Sequence, residues 1–247
     1  MKTIFGFVTI LITSSSFTQI SMHATFFSGI GKMKNSYEKE WFNYDTEFKT
    51  TYSPTYGGGI EFLIPLKIEK LKVGKFRIKS GLTYDFIESN QKESVKAQDL
   101  HTGKDVRVIA EKRFAAHYLR LPINFEYVVS DFNFGLGAQI GYRITNSAWS
   151  KYYTEEANGT IGYGLSAAVN STGNNLNKFD FGILSQIGYQ VHDRLNLFVG
   201  MYNGLMDIGN NADRGLKFDV MNIESIIEEP RLMRNTQIKV GASFKLF

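Results

Sequence analysis

The stretch "LRLPINFEYVV", residues 119 to 129, has two chemically opposite sides. Leu119, Leu121, Ile123, Phe125, Tyr127 and Val129 share one parity, while Arg120, Pro122, Asn124 and Glu126 share the other until Val128 ends the pattern. Successive side chains of a strand point to opposite faces, so this segment has one oily and one charged face. Alternation alone does not say which face is outermost. A soluble ligand-binding barrel keeps its oily face inside, and a membrane barrel reverses that arrangement.

Glycine breaks the tie. In 132–145 the polar parity reads Asn133, Gly135, Gly137, Gln139, Gly141, Arg143, Thr145, and in 179–191 it contains Asp180, Gly182, Gln186, Gly188 and Gln190. Glycine on a solvated strand face weakens the strand and gains nothing. Inside a narrow eight-stranded barrel it makes room beside long charged neighbours. The polar face is therefore the lumen, and the oily face meets lipid. Arg77, Lys79, Asp85, Arg120, Glu126, Arg143 and Asp180 all fall on that inward parity and form the expected lumen network. Both signs are present, so the charges can pair within the barrel. An Arg or Lys at the lipid midplane costs about 2–4 kcal/mol, and slipping a strand by one residue would expose several at once.

Working outward, eight strand-like segments recur: 25–33, 56–68, 75–89, 113–129, 132–145, 179–191, 196–208 and 236–247. The links between them alternate in length. The second, fourth and sixth ("EKLKVGK", "SD" and "HDR") are short, and the first, third, fifth and seventh are long. Short turns on one rim and long loops on the other predict an all-β, eight-stranded antiparallel up-and-down transmembrane barrel with both termini on the short-turn side. Outward-parity aromatics gather at strand ends. Tyr127, Phe132, Tyr189 and Phe244 lie towards the short turns, and Tyr84, Phe86, Tyr142 and Phe179 towards the long loops. Pro65 and Pro122 lie inside strands, where each removes a ladder donor, and a bulge or bend is expected at both.

Composition fits this reading and excludes others. The 247 residues carry a formal charge of +4 with no Lys/Arg block, which does not point to nucleic acid. The 23 glycines and 14% aromatic content suit a sheet protein. Cysteine is absent, so disulfides, thiolate metal sites, a catalytic Cys and a lipidated N-terminal Cys are ruled out. Lys2, the apolar run Ile4 to Ile12 and the polar exit "TSSSFTQISMHA" read as an export signal. Residues 1–24 are the expected leader, with cleavage near Ala24, and 25–247 the barrel domain.

The segments "YLRLPINFEY" (118–127), "FGLGAQIGYRI" (134–144), "FDFGILSQIGYQV" (179–191) and the ending "VGASFKLF" resemble the outer membrane protein beta-barrel domain family, also called porin-like or PorT-like. The resemblance runs from about residue 26 to 247. It implies a barrel in the cell outer membrane, inserted by the barrel-assembly machinery, whose recognition signal includes a C-terminal aromatic. Here Phe247 is one step out of phase with the last strand's apolar parity. Some members of the family are accessories of protein secretion or gliding, and the family pattern supplies no catalytic residues. The partners implied are outer-membrane lipid, the assembly machinery, and a secretion apparatus or an extracellular partner met through the loops.

Little else in the chain carries chemistry. Of the four histidines, His23 is expected to leave with the leader and His101 lies in a loop. His117 and His192 fall on opposite rims, which disfavours a metal site or triad using both. "GLGAQIG" (135–141) has Ile140 where a dinucleotide loop needs glycine. "NGT" (158–160) and "NST" (170–172) are polar loop residues. The acidic pairs Glu155–Glu156 and Glu228–Glu229 lack an oxygen-ligand loop. No cofactor, metal or catalytic residue is expected. The leading expectation is a non-catalytic scaffold or interaction protein acting through its long loops, or a secretion accessory. A small-solute porin and a lipid-modifying enzyme are the alternatives.

Overall fold

The computed structural model describes residues 20–36, 46–66, 73–98, 103–156, 176–209 and 232–247. Eight antiparallel strands follow one another around a closed barrel. They are β1 (Ser21–Ser36), β2 (Thr46–Leu66), β3 (Lys75–Gln98), β4 (Asp105–Val129), β5 (Phe132–Glu156), β6 (Phe179–His192), β7 (Leu195–Gly204) and β8 (Leu232–Lys245). Each strand pairs with its sequence neighbours, and β1 closes the ring on β8 from His23↔Lys245 to Ser36↔Leu232. Closure leaves no open edge between the lipid-facing segments, which is the condition for a sheet to cross a membrane.

The parity of the sequence sets the two surfaces. Leu121, Phe125, Leu136, Ile183, Val199 and Val240 are exposed on the outer wall, whereas Arg120, Asn124, Glu126 and Asp180 retain at most 1% exposure. Two aromatic belts bound the oily band. Phe132 stacks edge-on to Tyr189 at 5.0 Å and Phe76 packs against Tyr127 at 5.1 Å near the short turns. Near the loops, Tyr142 meets Phe179 at 5.5 Å, and Phe86 lies 4.8 Å from Tyr56 and 5.0 Å from His117. From Phe132 to Tyr142 the strand rises roughly 25 Å along the barrel axis, at about 3.3 Å per residue and about 40° of tilt, which is the height of a lipid-facing band.

The β4–β5 and β6–β7 links are tight turns. Ser130 and Asp131 close the β4–β5 hairpin between Val129 and Phe132, with Ser130 in the left-handed region (φ 51°), as two-residue hairpins require. On the loop side the strands run further than the alternation suggested. β3 continues to Gln98, β4 begins at Asp105 and β5 reaches Glu156, so much of the expected third and fifth loops is sheet. Beyond the membrane the outer face of a strand meets water instead of lipid, and the clean alternation that marks a strand in sequence disappears. β7 is shorter than expected and ends at Gly204, and Leu176 pairs with Gly209 as an isolated bridge.

The prolines behave differently from expectation. Register shifts fall at Tyr52/Thr55, His117/Tyr118 and Gln190/His192, not at Pro65 or Pro122. Pro65 pairs with Arg77 in register, and the pairs facing Pro122 drop out between Ser80↔Ile123 and Thr83↔Arg120 without a slip. Both prolines therefore cost hydrogen bonds and leave the count of residues unchanged. The β4–β5 bulge gives β5 an extra residue at Ile144 and moves its buried parity from Arg143 to Asn146 and Ala148. β1 begins at Ser21, so Ser21–Ala24 stand in the ladder, opposite Leu63–Ile60 of β2. Residues 210–231, including "FDVMNIESIIEEP", and the loop residues His101, 158–160 and 170–172 lie outside the described residues.

Candidate functional site: the ion-paired lumen

Of the seven residues expected in the lumen network, Lys79, Asp85, Arg120, Glu126, Arg143 and Asp180 are buried and Arg77 is partly exposed; six of the seven join two ion clusters. Arg120 stands at the centre of the first. Its Nε lies 2.7 Å from Asp85 Oδ2 and its Nη1 lies 3.0 Å from Asp180 Oδ2. The Gln139 carboxamide, with its oxygen toward the guanidinium, accepts from the same two nitrogens at 3.2 and 3.0 Å. Tyr118 and Tyr202 flank the guanidinium with ring centres at 4.7 and 4.6 Å, within cation–π range. Asp85 also pairs with Lys239 Nζ at 3.0 Å and accepts from Thr55. Asp180 accepts from Tyr202 Oη at 2.8 Å and from Asn235 Nδ2 at 3.0 Å. Two cations meet two carboxylates, so the layer is neutral.

The second cluster lies nearer the short turns. Arg77 Nε donates to Glu126 Oε2 at 2.6 Å. Lys79 Nζ lies 3.2 Å from Glu61 Oε2 and 3.8 Å from Glu126 Oε1, and donates to Gln186 at 3.0 Å. Thr25 adds a donor to Glu61. Here too two cations face two carboxylates. Arg143, the seventh residue, hydrogen-bonds Asn146 at the loop end, and among the described residues it meets no carboxylate within ion-pair range. Charges this deep cost several kcal/mol each to desolvate, and only pairing with full hydrogen bonding offsets that.

Glycine supplies the space. A Cβ at Gly182 would come within 2.7 Å of the Tyr202 ring, and one at Gly241 within 2.5 Å of Phe198. Phe198 in turn lies under Lys79 at 5.2 Å, and Phe27 under Lys239 at 4.2 Å. The inner parity therefore holds aromatic rings as well as charge, which the sequence reading did not anticipate. Glu61 and Lys239 were also missed, although Glu61 shares its parity with Gly57 and Gly59, and Lys239 shares its own with Gln237 and Gly241. That shared parity was the signal that could have found them.

Above the Arg120 layer the lumen turns apolar. Met33, Ile87, Phe114, Ala116, Ala148 and Met233 pack with Leu176 and Ile208 into a buried cluster across the loop-side mouth. Leu176 and Ile208 come from the segments flanking β6 and β7 and are fixed by backbone bonds. Asn177 N donates to Ile208 O at 2.7 Å, and Ile208 N donates to Met233 O at 2.8 Å. Two neutral ion-paired layers and an apolar cluster thus occupy successive levels of the lumen.

The histidines do not converge. His117 is on the outer wall at the loop rim, paired with Tyr84 Oη. His23 is inside the opposite end, beside Ser21 and Ser243. His192 closes β6 on the short-turn rim. Among the described residues, no group of three His, Asp or Glu side chains could hold a metal ion.

A closed barrel with charges inside, lipid-facing aliphatics outside and an aromatic belt at each rim is an outer-membrane β-barrel. The family model described as "Outer membrane protein beta-barrel domain" matches residues 17–210, and the chain belongs to that family. No curated protein is matched. Among solved structures, the chain is similar to Neisserial surface protein A at 11% identity, covering 93% of this chain and 100% of that one with a TM-score of 0.38. It is also similar to Ail, the attachment invasion locus protein of Yersinia pestis, solved with the heparin analogue sucrose octasulfate. That match has 7% identity, covers 92% of this chain and 97% of the other, and has a TM-score of 0.30.

Proposed function

We propose that this protein is a non-catalytic outer-membrane scaffold that closes its own lumen and presents a strand-built platform outside the cell. The filled lumen carries this reading. A solute would have to separate the Arg120–Asp85 and Arg120–Asp180 pairs and displace the Ile87–Phe114–Met233 cap, leaving buried charges without partners. Binding is left to the surfaces beyond the membrane. On the short-turn rim the described β4–β5 and β6–β7 links are two-residue turns at Ser130–Asp131 and Asp193–Arg194. The loop side offers the extended β3–β5 sheet, so an extracellular partner is favoured over a periplasmic secretion apparatus. The porin alternative is tested by planar-bilayer recording of the refolded full chain. No current steps above the lipid baseline are expected, and reproducible single-channel steps from the unaltered protein would overturn the proposal.

A further inference from the structure

We propose that the outer face of β3–β5, immediately beyond the loop-side aromatic belt, holds a binding site for a neutral sugar ring carried by a glycolipid of the surrounding membrane leaflet. The inference rests on the loop rim being the outer surface of the membrane.

The site is a pocket of about 370 Å³ lined by Phe86, Glu88, Arg113, Ala115, Ser147 and Trp149. Strand register builds it. Glu88 pairs with Ala115 and Ala115 with Ser147, so small side chains form the floor of one row. The row below holds Phe86 and His117 of the belt, and the row above sets Arg113 beside Trp149. The outcome is a depression with an aromatic ring at each end and a carboxylate–guanidinium pair along one side. Arg113 Nη2 lies 2.5 Å from Glu88 Oε2, and Asn90 Nδ2 bonds Ser53 at 3.0 Å and reaches Glu88 at 3.5 Å.

Three features of the pocket select the ligand. Its volume lies at the small end of ligand sites, room for one or two sugar rings rather than a folded peptide. Its charged lining is a neutral pair, and Glu88 would repel a phosphate that Arg113 alone would attract. Vicinal hydroxyls fit such a pair, donating to the carboxylate and accepting from the guanidinium, while the C–H face of the ring covers an indole. Its height selects the source. The floor is one pleat repeat above Phe86 and His117, and Trp149 is two above, roughly 5 and 10 Å along the barrel axis. That is the depth of the headgroup layer around a hydrocarbon core. A ring tethered there is present at high effective concentration, so a weak contact suffices.

The test uses the full chain with Trp41→Phe, so that Trp149 is the sole indole emitter, inserted into phosphatidylcholine vesicles. Unheated gel mobility confirms closure. Vesicles containing digalactosyldiacylglycerol should blue-shift Trp149 emission and lower its acrylamide quenching about twofold, as covering one indole face would. Vesicles with phosphatidylglycerol, and plain vesicles with free lactose outside, should leave both unchanged. Glu88→Gln and Ala115→Phe, the second filling the floor, should each abolish the glycolipid response while closure is retained. No response to the glycolipid, or one that survives Ala115→Phe, would overturn the site. An equal response to phosphatidylglycerol would overturn the sugar assignment, and an equal response to free lactose would overturn the membrane source. None of these readouts depends on conductance, so a leaky lumen would refute the scaffold reading and leave this one standing.

Discussion

The belt-to-belt wall and the sheet that continues above it are built from the same strands and obey different rules. Between the belts, every charged side chain of β3, β4 and β5 turns inward, because lipid is the other choice. Arg120, Asp85 and Asp180 lose all exposure there. Past Phe86 and His117 charges stand on the outer face. Lys92 faces Glu111 at 3.7 Å, Arg113 pairs with Glu88, and Tyr153 Oη donates to Glu111 at 2.8 Å. The wall is held by register that cannot slip without placing ions in lipid. The upper sheet is held by its hydrogen-bond ladder and by cross-strand pairs worth about 0.2–1 kcal/mol each. Burial in the lumen makes an ion pair hard to break, and exposure makes the same chemistry replaceable.

The largest expected effect comes from breaking a pair in the wall. Arg120→Met leaves Asp180 in the lumen without a cation and Asp85 with Lys239 alone, and should destabilise the folded barrel by about 3–5 kcal/mol. Urea unfolding in detergent, followed by the heat-dependent gel shift, reads this directly. Combining Arg120→Met with Asp180→Asn should recover much of the loss, because the Asp85–Lys239 pair then remains and the layer is neutral again. Placing a charge on the oily side comes next. Leu136→Arg near the middle of the lipid band should cost about 2–4 kcal/mol in vesicles. A change of the same kind above the belt should do much less: Arg113→Ala should shift the midpoint by at most about 1 kcal/mol. A large loss from Arg113→Ala would show that the upper sheet is as tightly built as the wall.

The smallest effect is a pH dependence confined to the upper sheet. Burial and the bond to Glu111 push the Tyr153 phenol above its ordinary value, with Lys92 opposing. The bond to Tyr153, more than the nearby carboxylates, raises Lys92. Both groups have folded values above the unfolded ones, so their contribution is complete below the usual tyrosine range and fades as pH rises through the raised values. The ultraviolet titration difference between the unaltered chain and Tyr153→Phe should show this late phenol, and Glu111→Gln should return it towards the ordinary range.

How legible each region was follows from its solvent. Lipid on one side and a narrow lumen on the other force strict alternation, so 119–129 and 132–145 announced their faces, and parity alone placed Arg120, Asp85 and Asp180 inside. Partner identity was not legible, because Asp85 and Lys239 meet across the barrel and their distance depends on closure. The apolar cap was hidden because Leu176 and Met233 lie in stretches that read as loop, and Phe27 and Phe198 were hidden because an inward ring looks like a break in the polar pattern. The extension of β3 through "NQKESVKAQ" carries no hydrophobic alternation, since its buried positions are the polar Gln91 and Ser94 and its outer face meets water. The start of β1 was equally obscure. Ser21–Ala24 follow the apolar stretch that reads as a leader, yet His23 pairs with Glu61 and with Lys245 across the closing seam. Intact mass of the exported chain should therefore show a leader removed upstream of Ser21, and a mature chain starting at Thr25 would contradict that.

The division between wall and platform is tested most directly by surface labelling, for which the absence of cysteine leaves a clean background. Lys92→Cys and Lys151→Cys on the upper sheet should react with a membrane-impermeant maleimide on intact cells. Leu121→Cys in the lipid band should stay unreacted until the barrel is unfolded. Labelling of Lys92→Cys and Lys151→Cys only after the outer membrane is permeabilised, or equal labelling at all three positions, would contradict the account.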